Sequence, residues 1–511
     1  LAPIIEQEID SCITHMKEGS SGHDSLKPSV VKQCKAHFLA PLTYIFNLSL
    51  EQGIVPSSLK YAYVTPVFKA GDPCLMGNYR PISVLPVFSK ILERLIFNRV
   101  YTFISSNNIL TDQQFGFRKK LSTEMALLMA IDRITDAIDN KRHTIGLFLD
   151  LKKAFDTVNI PILLRKLETY GIRGNGLSWF KSYLSNRKQS VKYYDSISSA
   201  LPVTIGVPQG SILGPLLFII YINDMPNVLN SLYPIIFADD TTLFASGPNV
   251  EEVLECFAAE LPLLVQWFSS NKLSLNLSKT QYIVFTTSPQ VRGIDFNFKI
   301  GDALITRVNK TKFLGVYIDD QLRWGCHIDH VSSKIRKSLG VLKKAGRLLS
   351  DDTLKTLYYT MVYPYFSYCN IVWGRASATL LKRLVSLQKR AIRIIAHEPS
   401  LAHTHDLFIK YKIIKFEYLY TYLLSIFIFK YVNRMFPPSF TENINVNVNS
   451  ISVSTSTRRT TASIPLCRTN IRKTTIIYQI PKLCNEIIYP LSIPPEMSFH
   501  QFRKLMASIS M

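Results

Sequence analysis

Two places in the chain put aspartate where a hard divalent cation could be held. In YPIIFADDTTLFAS (Tyr233 to Ser246) two apolar runs of strand character flank Ala238-Asp239-Asp240-Thr241. That pattern places the acid pair at the tip of a hairpin, where its side chains can project into a cleft. A third acid, Asp150, ends the apolar strand of FLDLKKAFDTVN (Phe148 to Asn159), and Asp156 follows it. Carboxylates on rigid strands can hold two metal ions, one activating a hydroxyl nucleophile and one neutralising a triphosphate and its leaving pyrophosphate. Mg2+ suits that donor set, because it prefers hard oxygen ligands and keeps several waters. Taken singly, each feature also has an everyday explanation. Asp-Asp is ordinary turn chemistry, and an acid that closes a strand is often a helix N-cap. Asp156 reads as capping or bracing the helix that follows it.

Between these acids lies GVPQGSILGPLLFIIYINDM (Gly206 to Met225), a Pro/Gly-punctuated loop feeding a long apolar helix, with Gln209 exposed between Pro208 and Gly210. Such a loop can lay backbone and one amide side chain along a flat ligand; a tight turn leading into a core helix reads the same way. The elements that must position these residues follow from the periodicity. Residues 1 to about 60 read as helical, with a break at Glu18 to Ser25. From there to about residue 300, helices mix with short strands such as Thr144 to Leu151, which argues for an α+β domain. Beyond Trp324 the pattern turns to amphipathic helices over Val331 to Leu349, Thr353 to Trp373 and Leu380 to Ala396. Pro437 to about Thr475 is rich in Asn, Ser and Thr and reads as an extended linker before a short ordered tail.

Composition narrows the class of partner. Of 511 residues, 47% are hydrophobic and 19% charged, which describes a globular protein with a sizeable core. The 59 Lys and Arg against 37 Asp and Glu leave a net charge of +22, suited to a polyanion. The helices beyond Trp324 concentrate that charge. Val331, Ile335, Leu339, Leu342 and Leu349 fall near one face, while Lys334, Arg336, Lys337, Lys343, Lys344 and Arg347 populate the rest. Lys382, Arg383, Lys389, Arg390 and Arg393 repeat the design with little alternation of acids. Eight scattered cysteines show neither zinc spacing nor a disulfide framework, and fit a reducing intracellular compartment. His397, His403, His405 and Asp406 match no zinc pattern either. The most apolar stretch, Tyr418 to Phe429, is too short to span a membrane and reads as a buried helix. The chain begins at Leu1 on a pattern already helical, as expected of an excerpt from something longer.

The order of the three acid and loop elements resembles motifs A, B and C of reverse transcriptases. NYRPISVL (Asn78 to Leu85) and QFGFRKKLST (Gln114 to Thr123) resemble the fingers motifs of the non-LTR, LINE-type retrotransposon enzymes. LSLNLSKTQYIVF (Leu273 to Phe285) resembles motif D, and KFLGVYIDD (Lys312 to Asp320) motif E. The style of LKYAYVTPVFKAGD (Leu59 to Asp72), YPYFSYCNIVWG (Tyr363 to Gly374) and IPKLCNEI (Ile480 to Ile487) is that of the jockey-like group.

The resemblance implies an α+β right-hand polymerase, its fingers and palm carrying an antiparallel sheet, followed by an α-helical thumb. Its parts would be an N-terminal helical extension (1–60), fingers and palm (61–320), thumb (321–400), and a C-terminal region of unknown role (401–511). It implies RNA-directed DNA synthesis with Mg2+, or Mn2+ in its place, on an RNA template, a DNA primer and dNTPs. Asp150 and Asp239 would be metal ligands, Asp240 a support for the second metal or primer terminus, and Lys279 a proton donor beside the pyrophosphate. Phe155 would be the steric gate under the sugar, with Gln209 on the incoming nucleotide and Gly210 allowing its close approach. Arg80 and Arg118 would face triphosphate or template, and Phe313, Leu314 and Gly315 would grip the primer. The basic helices would hold the nucleic-acid backbone. An intracellular site, in cytoplasm or nucleus, fits such an enzyme. Departures exist: Gly22-His23-Asp24-Ser25 replaces the family's Gly-Pro-Asp-Gly, and Cys484 stands where relatives commonly carry Trp. An RNA-dependent RNA polymerase would normally carry Gly-Asp-Asp and a small residue under the sugar, against Ala238 and Phe155 here. A non-catalytic, nucleic-acid-binding relic remains the reading from another class.

Overall fold

The computed structural model describes residues 2–292, 294, 296, 298–444, 446, 462–488, 490, 491 and 497–509. The chain divides into two compact units, each assembled from three stretches: 1–117, 149–230 and 260–276 in the first, and 118–148, 231–259 and 277–511 in the second.

The first unit is built around the helix Leu213–Tyr221, whose residues from Leu216 onward are at most 1% exposed. A helix apolar all round has to be enclosed, and the helices Val87–Ser106 and Ile160–Thr169 pack against it. Enclosure leaves its first backbone N–H groups without water. Glu93 meets that need: its Oε2 accepts from the Ile212 N–H at 2.7 Å, and its Oε1 accepts from the Tyr183 hydroxyl at 2.7 Å. Burial pushes the Glu93 carboxyl above its ordinary range, against the pull of Arg187, Tyr183 and the backbone N–H groups at the helix start. Beside this core lies a mixed sheet. Tyr61–Phe68 pairs antiparallel with Tyr79–Val84 and parallel with Arg187–Tyr193, which in turn pairs with Ser196–Ile197 and Leu201–Val203.

The second unit carries a five-stranded sheet in the order Thr306–Arg307, Gln281–Phe285, His143–Leu149, Asp240–Gly247, Tyr233–Phe237. Gln281–Phe285 pairs antiparallel with His143–Leu149, as Tyr233–Phe237 does with Asp240–Gly247, whereas Thr306–Arg307 runs parallel to Gln281–Phe285. The helix Thr123–Asp139 lies on the two hairpin strands. A second hairpin, Lys310–Phe313 with Val316–Asp319, leads into the helices Gly325–Ala345, Asp351–Met361, Ala378–Ile395 and Phe416–Val432. The last of these contains the apolar Tyr418 to Phe429 stretch, with Leu419, Leu424 and Phe427 buried, as its apolar character suggests.

Three expectations need correction. The single helix over Thr353 to Trp373 is three pieces, Asp351–Met361, Tyr363–Ser367 and Asn370–Trp373. Pro364 lacks the N–H that would continue the first piece, and Cys369 adopts φ 49° ahead of the third. The first basic helix starts at Gly325 and ends at Ala345, so Leu349 lies beyond it and is exposed, unlike buried Val331, Ile335, Leu339 and Leu342. The linker expected over Pro437 to Thr475 includes a helix, Pro438–Asn443, and a docked segment from residue 462; 445 and 447–461 lie outside the described residues.

Removing the Glu93 carboxylate would leave the Tyr183 hydroxyl, the Ile212 N–H and Arg187 without their buried acceptor or counter-charge. Glu93→Ala is therefore expected to cost roughly 3–5 kcal/mol of folding stability, the usual loss for breaking a buried charged contact from one side. Urea unfolding of parent and variant measures it, and equal midpoints would contradict this role for Glu93 in the core.

Candidate active site

The strand His143–Leu149 is buried along nearly its whole length and ends directly before Asp150. The residues after the strand are pinned from one direction. The Lys152 N–H donates to the Ser274 carbonyl at 2.9 Å, and Leu151 bridges Leu275. The Asn276 N–H donates to the Asp150 carbonyl at 2.7 Å, while the Asn276 Nδ2 donates to the Asp150 Oδ2 at 2.8 Å. One asparagine thus fixes both the backbone and the carboxylate, leaving Oδ1 to face other partners. In LSLNLSKTQYIVF the charge of Lys279 draws attention and Asn276 does not; its one signal is the alternation of LSLN just ahead of a strand.

Five residues on, a 3-10 turn at Ala154–Thr157 presents Phe155 and Asp156. The Phe155 ring is half-buried, stacked on Phe218 at 4.5 Å between centroids and edge-on to Phe117 at 6.3 Å. Asp156 does not cap the next helix, whose N-cap is Asn159, accepting from the Ile162 N–H. It engages Gln209 instead, the amide Nε2 donating to Asp156 Oδ1 at 2.8 Å. The loop that carries Gln209 is held by backbone bonds, Gly206 N–H to the Val158 carbonyl at 2.8 Å and Val207 N–H to the Phe155 carbonyl at 2.9 Å. Its other side accepts from the Ser83 N–H through the Gln209 carbonyl. Glycine is required there on two counts. Gly210 has φ 111°, and a Cβ on it would stand 2.6 Å from the Ser83 carbonyl oxygen. The close approach that Gly210 permits in this structure is to a neighbouring strand. A cleft of about 350 Å³ opens beside this loop, lined by Ser83, Asp156, Arg187, Gln189 and Gln209 among others. Arg80 is exposed on the strand Tyr79–Val84, opposite Val67.

In the second unit, Tyr233–Phe237 and Asp240–Gly247 pair with Phe237 opposite Asp240, so Ala238 and Asp239 form a two-residue hairpin loop. Ala238 takes the positive φ, 57°, that tight hairpins demand. Asp239 is half-buried and Asp240 exposed. The strand His143–Leu149 lies alongside: the Thr144 and Ser246 hydroxyls are 2.8 Å apart and Phe148 meets Phe244 edge-on. Lys279 is exposed just ahead of the strand Gln281–Phe285. Arg118 is half-buried at the start of this unit. In the hairpin Lys310–Phe313/Val316–Asp319, Leu314 and Gly315 form the loop at φ 45° and 86°. Phe313 is 3% exposed, its ring against Phe148, so only Leu314 and Gly315 present themselves at the tip. Lys334, Arg336, Lys337, Lys343, Lys344 and Arg347 are all exposed. In the second basic helix Arg383 pairs with Asp329 at 2.6 Å.

The first unit therefore gathers Asp150, Phe155, Gln209 and Gly210, and the second holds Asp239, Asp240, Lys279, Arg118 and the 313–315 loop. Among the described residues no three His, Cys, Asp or Glu side chains share an ion-binding arrangement. A metal that takes most of its ligands from phosphates and water needs fewer protein carboxylates. Carboxylate oxygens, at the strand end in the first unit and at the hairpin tip in the second, are each of the hard donor type that Mg2+ takes.

Residues 67–318 match the family described as reverse transcriptase (RNA-dependent DNA polymerase). The chain carries a reverse transcriptase domain. It is 30% identical over 388 residues to a probable RNA-directed DNA polymerase from transposon X-element of Drosophila melanogaster, covering 73% of this chain and 42% of that protein. To the RNA-directed DNA polymerase from mobile element jockey of Drosophila funebris it is 29% identical, covering 79% and 45%. The chain thus spans less than half the length of these relatives. A solved telomerase from Candida albicans aligns over 76% of this chain and 62% of that one, at 14% identity and a TM-score of 0.38. The reverse transcriptase domain has the α+β construction expected of it, and the relatives are of the non-LTR, jockey-like kind.

Within this domain the Asp156–Gln209 contact can be probed by pH. Burial raises the Asp156 carboxyl above its ordinary value, against the Gln209 hydrogen bond and Lys153, which lower it. A carboxyl raised on folding favours the folded state below the unfolded value and loses that contribution as pH climbs through the folded value. Stability of the parent should fall slightly as pH rises out of the ordinary aspartate range, while Asp156→Asn, which keeps an acceptor for Gln209, should lack that component. Denaturation midpoints across pH 3 to 7 measure it; identical profiles would show that this carboxyl is not perturbed by folding.

Proposed function

We propose that the protein is an RNA-directed DNA polymerase, transferring nucleotides from dNTPs to a primer 3′-hydroxyl on an RNA template. The observation that carries this is Asp150, delivered by a buried strand and pinned by Asn276, with the strand that delivers it neighbouring in one sheet the strand that begins at Asp240. The curated relatives are named as RNA-directed DNA polymerases, which supports the same reading. Asp150 and Asp239 would hold the divalent ions, with Mg2+ favoured and Mn2+ able to replace it, and Asp240 would support the second ion or the primer terminus. The ions would supply charge neutralisation and a more acidic 3′-hydroxyl. Phe155, braced on Phe218, would stand under the sugar and disfavour a 2′-hydroxyl. Gln209 would leave Asp156 for the incoming nucleotide, and Arg80 and Arg118 would face triphosphate or template. Lys279 would donate a proton to the pyrophosphate. Leu314 and Gly315, with Phe313 as their buried anchor, would position the primer.

Residues 61–320 are read as fingers and palm, extended by 1–60, and 321–400 as the thumb. No helix among the described residues is long and apolar enough to cross a membrane. A site in cytoplasm or nucleus accords with nucleic-acid substrates.

Primer extension on an RNA template, with dNTPs against NTPs, tests the reading. Asp150→Asn and Asp239→Asn should abolish dNTP incorporation without unfolding the chain. Asn276→Ala should lower the rate roughly 10- to 100-fold, the usual loss when a group orienting a metal ligand is removed. Parental rates in either aspartate variant would dismiss the assignment.

The exposed basic residues of the helix Gly325–Ala345 and its exit would bind backbone and not bases. If about five phosphates are neutralised, log K against log[salt] should fall with slope roughly −3 to −5. Replacing Lys343, Lys344 and Arg347 together by Gln should flatten it by roughly 2 to 3, for all sequences alike. An unchanged slope would mean that these side chains do not meet the nucleic acid.

A further inference from the structure

The helix Thr123–Asp139 is electrostatically incomplete on its own. Its last two turns carry Asp132, Asp136 and Asp139 and no basic residue in the final turn, although a helix C-terminus carries partial negative charge and favours cations. Its one arginine, Arg133, is committed to the ring of Tyr233. The missing charge arrives from far along the chain. Arg468 donates from Nε to the Asp139 carbonyl at 2.7 Å and from Nη2 to the Ile138 carbonyl at 2.6 Å, capping the helix end. Thr469 adds its N–H and hydroxyl to Asp139 Oδ1 at 2.7 and 2.8 Å. One turn back, Arg472 is 9% exposed and pairs with Asp132 at 2.5 Å and Asp136 at 3.3 Å, with Thr135 Oγ1 accepting at 3.0 Å. Burial raises Asp132 and Arg472 opposes that rise, so the pair is mutually dependent.

The other end of the same helix meets the proposed primer-positioning loop. Thr123 Oγ1 lies 3.1 Å from the Tyr368 hydroxyl, which donates to the Leu314 carbonyl at 2.7 Å. The Tyr368 ring also covers Gly315, where a Cβ would stand 3.0 Å from its edge. Arg118 precedes the helix by five residues.

We propose that the C-terminal segment beginning at residue 462 is a positioning strap for the polymerase: Arg468 and Arg472 fix the helix Thr123–Asp139, and the helix, through Thr123 and Tyr368, sets the Leu314–Gly315 loop and the Arg118 approach. This assigns a role to a region otherwise without one, and it rests on the polymerase reading above. Arg468, Arg472 and Tyr368 touch no substrate in this scheme.

The test uses the full chain with Arg472→Gln and, separately, Tyr368→Phe. Each is assayed for dNTP KM and kcat, for template–primer Kd, and for folding by circular dichroism at the assay temperature. The strap predicts that dNTP KM rises roughly 5- to 30-fold, the factor for one or two kcal/mol, while template–primer Kd and the fold are unchanged. Arg472→Lys, which keeps the charge, should recover part of the loss. Folded variants with parental KM would overturn the proposal. Should Arg472→Gln fail to fold, Arg468→Gln decides, since it removes only the exposed cap on the Asp139 and Ile138 carbonyls: a raised KM supports the proposal and a parental KM overturns it. A parent chain inactive on RNA and dNTPs would instead remove the polymerase reading itself.

Discussion

The site depends on holding a carboxylate rigid where charge must accumulate. An aspartate that serves a metal cannot be neutralised by a strong internal partner, yet it cannot wander. At Asp150, the proposed metal ligand, a neutral partner meets both demands: Asn276 binds one carboxylate oxygen and the Asp150 carbonyl, fixing direction without cancelling charge. The strand behind it is buried, so motion of the backbone would have to disturb the sheet. The hairpin at Asp239 follows the same logic with different means. Its two-residue loop leaves no slack, and Ala238 accepts a left-handed backbone to close it.

The loop of Gln209 shows how packing of the first unit serves the same end. The enclosed helix Leu213–Tyr221 needs an acceptor at its start, which Glu93 supplies, and the loop that feeds this helix is stitched by backbone bonds to the turn carrying Phe155. Gln209 and Phe155 are consequently placed relative to one another by the core and not by exposed contacts. Pre-organisation of this kind lets a site act without first ordering itself.

Much of this was legible in the residues. Two apolar runs around the acid pair in YPIIFADDTTLFAS read as a hairpin, and the apolar run before Asp150 as a strand, and both elements are present because each run is buried along nearly its whole length. What was not legible has physical reasons. Thr353 to Trp373 keeps an apolar stripe that reads as one helix, but Pro364 breaks it where no pattern of polarity warns. Asp156 sits before a helix and reads as its cap, whereas Asn159 takes that place and Asp156 finds Gln209 across a long loop. The strap was invisible for a similar reason. Arg468 and Arg472 stand in a polar tract that resembles a linker, and their acids lie more than 300 residues away in sequence. Long-range charge pairing leaves no local signature.

The most direct test of the central claim counts the ions. Mn2+ binding can be followed by electron paramagnetic resonance on the full chain with RNA template, a dideoxy-terminated DNA primer and a dNTP. A two-ion site at Asp150 and Asp239 predicts two Mn2+ bound per chain in the ternary complex and the loss of this binding in Asp150→Asn and Asp239→Asn. Mn2+ binding equal in the parent and both variants would contradict it.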